Sequence, residues 1–298
     1  MDRLQSLEVF IAVAEAESFA RGARAMGLSA PSATRGINAL EARLGARLFT
    51  RSTRRVRLTE VGAAYLEDAR QVLDKLRAAD ATAAGAATRP VGHLRITCST
   101  EFGRIYIVPI LTEFLDTYPD MTVEVLMVDR IVNLVEEGYD VAVRIGPLPL
   151  SNLSAVRVGQ VRRVVCGAPE YFAQRGAPRL PDDLCDHQIV SAPPVTPTPD
   201  WRFGTGMQTA VRINPRLSVS SVAAAIAVAR KGWGLCRVLS YQIGPELDTG
   251  CLSIVLEDHE PDPLPIHLVH IEGRRAAAKV RAFVEFARVR LRNIAVLN

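Results

Sequence analysis

The stretch from residue 18 to 62, SFARGARAMGLSAPSATRGINALEARLGARLFTRSTRRVRLTEVG, constrains the fold of this chain more than any other part of it. Ser18 suits the N-cap of a short helix running to about Met26, and Gly27 stands where a left-handed residue would end it. Ser29 caps a further helix with Pro31 in its first turn, where a missing N–H costs little. The predicted inward face is Ala33, Ile37, Leu40 and Leu44. Ala30, Ser32, Thr34, Arg35 and Asn38 are left near the outside or the N-terminal tip, and Gly45 stops the helix. Arg47–Leu58 then alternates like a two-stranded wing with a basic tip, RSTRR, at residues 51–55. Two helices joined through a tight glycine turn and followed by a basic ribbon are the parts of a helix–turn–helix, which lays its second helix in a DNA groove.

Charge supports that reading. Residues 21–57 carry nine arginines (21, 24, 35, 43, 47, 51, 54, 55 and 57) against one acid, Glu41, in a chain whose total is only +4. The first 60 residues sum to +4, and the other 238 balance at 26 bases against 26 acids. The basic character is therefore local, which implies a polyanion partner at one end and a neutral globular module at the other. Of the 36 cations only Lys75, Lys231 and Lys279 are lysines. Arginine suits bidentate phosphate and guanine contacts, although genomic base composition explains the same bias. Glu41 is expected to pair with a nearby arginine.

At 298 residues and 48% hydrophobic composition the chain can form two or three domains. Its start, MDRLQSLEVFIAVAEAESF, reads as a helix with apolar positions Leu4, Leu7, Phe10, Ile11, Val13 and Ala14. Acids at Glu8, Glu15 and Glu17, with no small-residue cleavage site, argue against a signal peptide. No apolar run approaches the roughly 18 residues needed to span a bilayer, so the expectation is a cytoplasmic protein without a membrane partner. Cys98, Cys166, Cys185, Cys236 and Cys251 form no CxxC and no metal spacing, which points to buried, reduced thiols and to neither a metal nor a cofactor.

Thr59-Glu60 opens a long helix to about Ala84. Tyr65, Ala69, Val72, Leu76, Ala79 and Ala83 form a heptad seam along it. Such a seam fits a dimerisation helix or a helix packed on its own domain; the strict spacing and the Ala-rich end AADATAAGAATRP, which reads as hinge and linker, favour the first. After Pro90, GHLRITCS, MTVEVLMV and YDVAVRIG read as strands, with helices at FGRIYIVPILTEFLDTYP and IVNLVEEG between them. A second set follows: VRRVVCGA, a helix near PEYFAQRG, QIVSA, WRF, then RLSVSS into VAAAIAVARKG, and GLCRVL. LPIHLVHI and a helix over 276–292 return to the first texture. This alternation predicts an α/β sheet with parallel pairing, in two lobes joined by two chain crossings, with a ligand cleft between them.

Over its whole length the chain resembles the LysR-type transcriptional regulators. The specific matches are Ser18-Phe19, Leu28-Ser29-x-Pro31, Thr34-Arg35 with Ile37, Leu40-Glu41, Leu44-Gly45, Leu48-Phe49-x-Arg51 and Leu58-Thr59-x-x-Gly62. The resemblance implies an α/β multidomain protein: an N-terminal winged helix–turn–helix (1–59), a linker and dimerisation helix with its hinge (60–91), and a two-lobed, periplasmic-binding-protein-like effector domain (92–298). Lobe I is expected at 92–160 plus 266–298, and lobe II at 161–265. Implied partners are double-stranded DNA at an inverted-repeat promoter site, a small-molecule effector, and further copies of the chain as a dimer or a tetramer; RNA polymerase is a further candidate. Two positions depart from the family. Ala30 stands where glutamine often reads a base, and Gly36 follows Arg35 where a long polar residue is usual, which leaves an unusually bare reading tip.

The expected DNA contacts are Ser29, Ala30, Pro31, Ser32, Thr34, Arg35 and Asn38 on the helix, with Arg51, Arg54 and Arg55 on the wing. Arg43 and Arg47 fit DNA contacts or ordinary surface charges equally. Ser99 and Thr100 end a strand just before a helix, a place suited to an anion, although simple N-capping explains the same pair. By resemblance, Phe102, Arg144, Gly146, Ser191, Trp201, Ser220 and Ser221 join them in the cleft. Arg144 could meet a carboxylate effector or an internal acid, and a small organic or aromatic acid is the expected ligand. No G-x-S-x-G, P-loop, HExxH or Rossmann glycine motif is present, which argues against an enzyme. Two rival readings remain open. One is a peroxide-responsive regulator of the same family using cysteine, for which Cys236 and Cys251, fifteen apart, are the nearest pair in sequence. The other, more remote, is a solute-binding protein sharing the second domain's fold.

Overall fold

The computed structural model describes residues 1–51, 56–83, 90–192, 200–271 and 277–297, which divide into two compact units, Met1–Gly92 and His93–Asn298. In the first, α1 (Arg3–Ala16) begins where the Asp2 carboxylate accepts from the Gln5 amide at 2.7 Å. Ser18 caps α2 (Phe19–Ala25) by accepting from the Arg21 amide, and Ser29 caps α3 (Ala30–Leu44) by accepting from the Ser32 amide, both at 3.3 Å. Gly45, at φ 66°, ends α3 in the left-handed region. The antiparallel strands β1 (Phe49–Arg51) and β2 (Val56–Leu58) form the wing, and α4 (Glu60–Ala83) follows. Phe10 sits at the centre of the core, with ring centroids 5.4 Å from Phe49 and 5.5 Å from Tyr65, so α1, the wing and α4 share one cluster.

Two expectations about α3 are corrected. Leu44 is 39% exposed, whereas Gly36 and Glu41 are buried. The reason lies in Glu41, whose Oε1 accepts from the Leu48 amide at 2.8 Å and the Phe49 amide at 3.1 Å. The Glu41 carboxylate thus caps the start of the wing, which tucks beneath the helix at residue 41 and leaves its last turn projecting. The joint to α4 is equally close. The Thr59 hydroxyl donates to the Arg47 carbonyl at 2.7 Å and accepts from the Gly62 amide at 2.9 Å. A Cβ at Gly62 would lie 2.0 Å from the Leu48 carbonyl oxygen.

In the second unit, β3 (Gly92–Cys98) leads into a helical stretch made of α5 (Thr100–Phe102), a π-turn (Gly103–Ile107) and α6 (Val108–Thr117). Next come β4 (Met121–Met127), β5 (Val141–Ile145), β6 (Ser154–Val161), β7 (Arg163–Gly167) and α7 (Pro169–Arg175). They are followed by β8 (Val190–Ser191), β9 (Asp200–Phe203), β10 (Thr209–Arg212), β11 (Leu217–Ser218) and α8 (Val222–Arg230). The chain closes with β12 (Cys236–Leu239), α9 (Gly244–Asp248), β13 (Ser253–Val255), β14 (Leu264–His270) and α10 (Ala278–Arg292).

A five-stranded sheet has the order β4-β3-β5-β14-β6 and a second, smaller sheet the order β12-β7-β13, while β9 pairs with β10 and β8 with β11. The expected parallel pairing holds for β3 with β5, but β14 runs antiparallel to both β5 and β6. Parallel pairing needs a crossover; β14 returns from the second sheet and enters the first against its neighbours. IVNLVEEG also departs from expectation, forming turns over 134–138 rather than a helix. Asn133 Oδ1 accepts from the Val135 amide at 3.2 Å, and Arg130 grips Glu137 through both guanidinium nitrogens. These side-chain bonds compete with the helical ladder. In the smaller sheet Val164 and Cys166 face α8, while Val165 faces Trp201, Phe203 and Val211.

Candidate nucleic-acid interface and effector site

The N-terminal end of α3 presents Ser29, Pro31, Arg35 and Asn38 to solvent. The Ser29 and Ser32 hydroxyls lie 2.9 Å apart, and Arg35 Nη2 reaches Ser32 Oγ at 3.5 Å. This places a guanidinium beside two hydroxyls at the positive end of a fifteen-residue helix, an arrangement suited to phosphate and base edges. Thr34 donates its hydroxyl to the Ala30 carbonyl at 2.9 Å, so its proton is committed to the helix. Ala30 is half-buried, and Arg43 and Arg47 are exposed. Of the wing arginines, Arg51 is described only through its backbone, and Arg54 and Arg55 lie outside the described residues.

Gly36 does not belong to this surface. It faces inward, where a Cβ would lie 2.6 Å from Met1 Sδ. The bare reading tip expected at Ala30 and Gly36 therefore reduces to Ala30 alone. Sequence periodicity marks the inward face, but not the chain terminus that covers it.

In the second unit, the Ser99 hydroxyl is shut from solvent, caps no amide, and is approached by the Tyr241 phenol without good hydrogen-bond geometry. The Thr100 amide donates to Asp129 Oδ1 at 3.0 Å. An acid thus already occupies the position where an anion was expected, and a second negative charge there would be repelled. Phe102 is fully buried, with its ring 5.0 Å from Tyr106 and 5.4 Å from Tyr241, so it belongs to the core rather than to an open wall.

Arg144 donates to the Val132 carbonyl at 2.9 Å and has no acid partner among the described residues. Burial lowers its pKa. Gly146, at φ 113°, follows it with its amide on the Pro265 carbonyl. Ser191 stands opposite Ser218, and Ser220 and Ser221 are exposed at the start of α8, where Ser221 makes no side-chain cap. Trp201 is only 7% exposed, with Arg237 stacked over its ring at 4.7 Å. Asp129, Tyr241, Arg163 and Arg237 escaped the sequence reading, since each acts through partners far away in the chain.

The cysteine expectation also changes. The neighbour of Cys236 is Cys166, directly opposite it in the ladder with sulfurs 3.5 Å apart, rather than Cys251. Both are buried; the hydrogen bond shared with Cys236, then burial, raises the Cys166 thiol strongly, and burial pushes Cys98 up to about 12. Cys185 and Cys251 are exposed. Among the described residues, no helix is long and apolar enough to cross a membrane.

Comparison with known proteins bears on both units. Residues 4–63 match the bacterial regulatory helix-turn-helix proteins of the lysR family, and residues 87–292 match the LysR substrate binding domain. The chain is 32% identical over 289 residues to the HTH-type transcriptional regulator YhjC of Escherichia coli K12, covering 96% of this chain and 97% of that protein. It is 28% identical over 288 residues to the HTH-type transcriptional activator AaeR of the same organism, covering 95% and 92%. Among solved structures, CrgA, a LysR-type transcriptional regulator from Neisseria meningitidis, aligns at TM-score 0.62 and 26% identity, over 97% of this chain and 98% of that one. A DNA-binding helix–turn–helix, a linker helix and a periplasmic-binding-protein-like regulatory domain are thus joined in one chain, in a family of regulators rather than enzymes: this chain belongs to the LysR-type transcriptional regulators.

Proposed function

We propose that this regulator binds an inverted-repeat promoter site as a dimer, with the N-terminal end of α3 in the major groove and the wing against the backbone or minor groove. The observation that carries the reading is the exposed Arg35 beside Ser29 and Ser32 at the head of α3. In this reading Ser29, Ser32 and the helix N-terminus hold phosphate. Arg35 and Asn38 read base edges, and Ala30 and Pro31 meet thymine methyls. Arg51, Arg54 and Arg55 serve the wing. The domains run 1–59, 60–91 and 92–298.

Dimerisation is assigned to α4. Ala69 and Leu73 pack into the core of their own unit, whereas Val72 and Leu76 are 50% and 37% exposed, so part of the heptad seam is left for a second copy. A tetramer of two such dimers is the larger assembly proposed. The effector is proposed to be an anion. Arg144, half-buried without an acid partner among the described residues, supports this better than Ser99 and Thr100, where Asp129 stands. A peroxide-responsive mechanism is less well supported, because both thiols of the facing pair are buried and that of Cys166 is pushed toward its protonated form, whereas the thiolate is the reactive form.

The test is Arg35→Ala in an operator-binding titration. Losing a base contact worth about 1–3 kcal/mol should weaken specific binding about 5- to 150-fold and leave non-specific binding much less affected. Unchanged operator affinity would remove Arg35 from the reading.

A further inference from the structure

Arg163 and Arg237 place two guanidiniums on one face of the β12-β7-β13 sheet. Arg163 stands opposite Leu239 and Arg237 opposite Val165, so the two are diagonal neighbours in the antiparallel ladder. The face around them is apolar, built from Val165, Leu235 and Leu256 with Trp201 and Phe203 of the β9–β10 hairpin. The Arg237 guanidinium carbon lies 4.7 Å from the Trp201 ring centre and 5.8 Å from that of Phe203, and Nη1 donates to the Arg202 carbonyl at 3.3 Å.

Neither arginine has a carboxylate partner among the described residues, and Glu257 and Glu260 are engaged by Arg162 instead. The strain registers in both groups: burial lowers Arg163, while burial first and the Arg163 charge second push Arg237 down to about 9. Two half-buried cations that repel one another oppose folding unless a counter-charge lies between them. Planar guanidinium forks match oxyanions in particular.

We propose that Arg163 and Arg237 form a binding site for a small doubly charged oxyanion, a phosphate or a dicarboxylate, with the Trp201–Phe203 wall at its side. The site rests on the reading of the second unit as an effector domain but uses none of Ser99, Thr100 or Arg144. It provides the two positive charges that a dianion needs, at a place where the aromatic wall limits competing water.

The chain's two tryptophans, Trp201 and Trp233, both lie in this unit, so their emission reports on it without interference from the DNA-binding arginines. The full-length protein is titrated with inorganic phosphate and, separately, with succinate, at constant ionic strength against chloride. A saturable emission change is expected with at least one of them. It should weaken at least about tenfold in Arg163→Gln, as loss of a charged hydrogen bond implies, and recover in part in Arg163→Lys. In chloride alone, Arg163→Gln should raise Tm by relieving the repulsion, whereas an arginine with only a structural role would lower it when removed.

A change of equal affinity in Arg163→Gln, or no saturable change with either anion, overturns the proposal. A response lost in Arg144→Gln but kept in Arg163→Gln overturns it while leaving the effector domain intact. Whichever anion saturates distinguishes a phosphate ligand from a dicarboxylate.

Discussion

Between Arg35 and Ile37 the recognition helix carries a glycine whose cost depends on what it touches. Glycine in a helix interior is less favourable than alanine by up to ~1 kcal/mol. Here, however, a Cβ would meet only Met1 Sδ and Cε, at 2.6 and 2.9 Å, the far end of a flexible side chain. Gly36→Ala should therefore change stability by no more than about 1 kcal/mol and leave operator affinity as it was, because the added methyl points into the protein. Denaturant unfolding and an operator titration on the same variant check both halves; weakened DNA binding at unchanged stability would return Gly36 to the reading face. The caps at Ser18 and Ser29, and Arg35 on the outer face, were legible from spacing alone, since they depend on neighbours three or four residues away. Glu41 was not, because its partners, the Leu48 and Phe49 amides, become neighbours only when the wing folds back.

Among the elements, the turns at 130–138 respond to acid. The Glu137 carboxyl is held at about 2, from an ordinary 4.5, first by its hydrogen bonds from Arg130 and then by the Asn133 amide. A folded value below the unfolded one means that the contribution is present above about pH 4.5 and is lost as pH falls toward 2. Arg130→Gln should flatten the acid limb of the stability profile in that window, and an acid limb identical to the wild type would refute the assignment. These turns were misread as helix because IVNLVEEG has helical hydrophobic spacing, which does not reveal that Asn133 and Glu137 bond to the backbone locally. Elsewhere the joint between wing and linker helix is the least tolerant of change. Gly62→Ala would drive a methyl to 2.0 Å from the Leu48 carbonyl oxygen, a backbone atom that cannot rotate away. The expected loss is ~1–3 kcal/mol or more by thermal or denaturant unfolding; a neutral result would mean that the close approach is not maintained in solution.

For the molecule as a whole, the separation of charge between the two units predicts how binding responds to salt. Each phosphate neutralised contributes ~0.9 to the slope of log K against log salt. If Arg47, exposed at the base of the wing, touches the backbone, Arg47→Ala should lower the slope by about 1 without altering sequence preference. Arg216→Ala, exposed in the second unit, should leave it unchanged. Order of elements, the helix–turn–helix and the two-texture α/β region were readable because each rests on local periodicity. The antiparallel β14 and the pairing of Arg163 with Arg237 were not, since they bring together residues 74 or more apart.

The bonding of Thr59 to Arg47 and Gly62 ties the base of the wing to the start of α4. In the proposed dimer, the span between the two reading heads is thereby set in advance, like the jaws of a locked gauge. An operator with the wrong half-site spacing would have to be accommodated by twisting and bending the DNA, at an elastic cost borne by the duplex rather than by the protein.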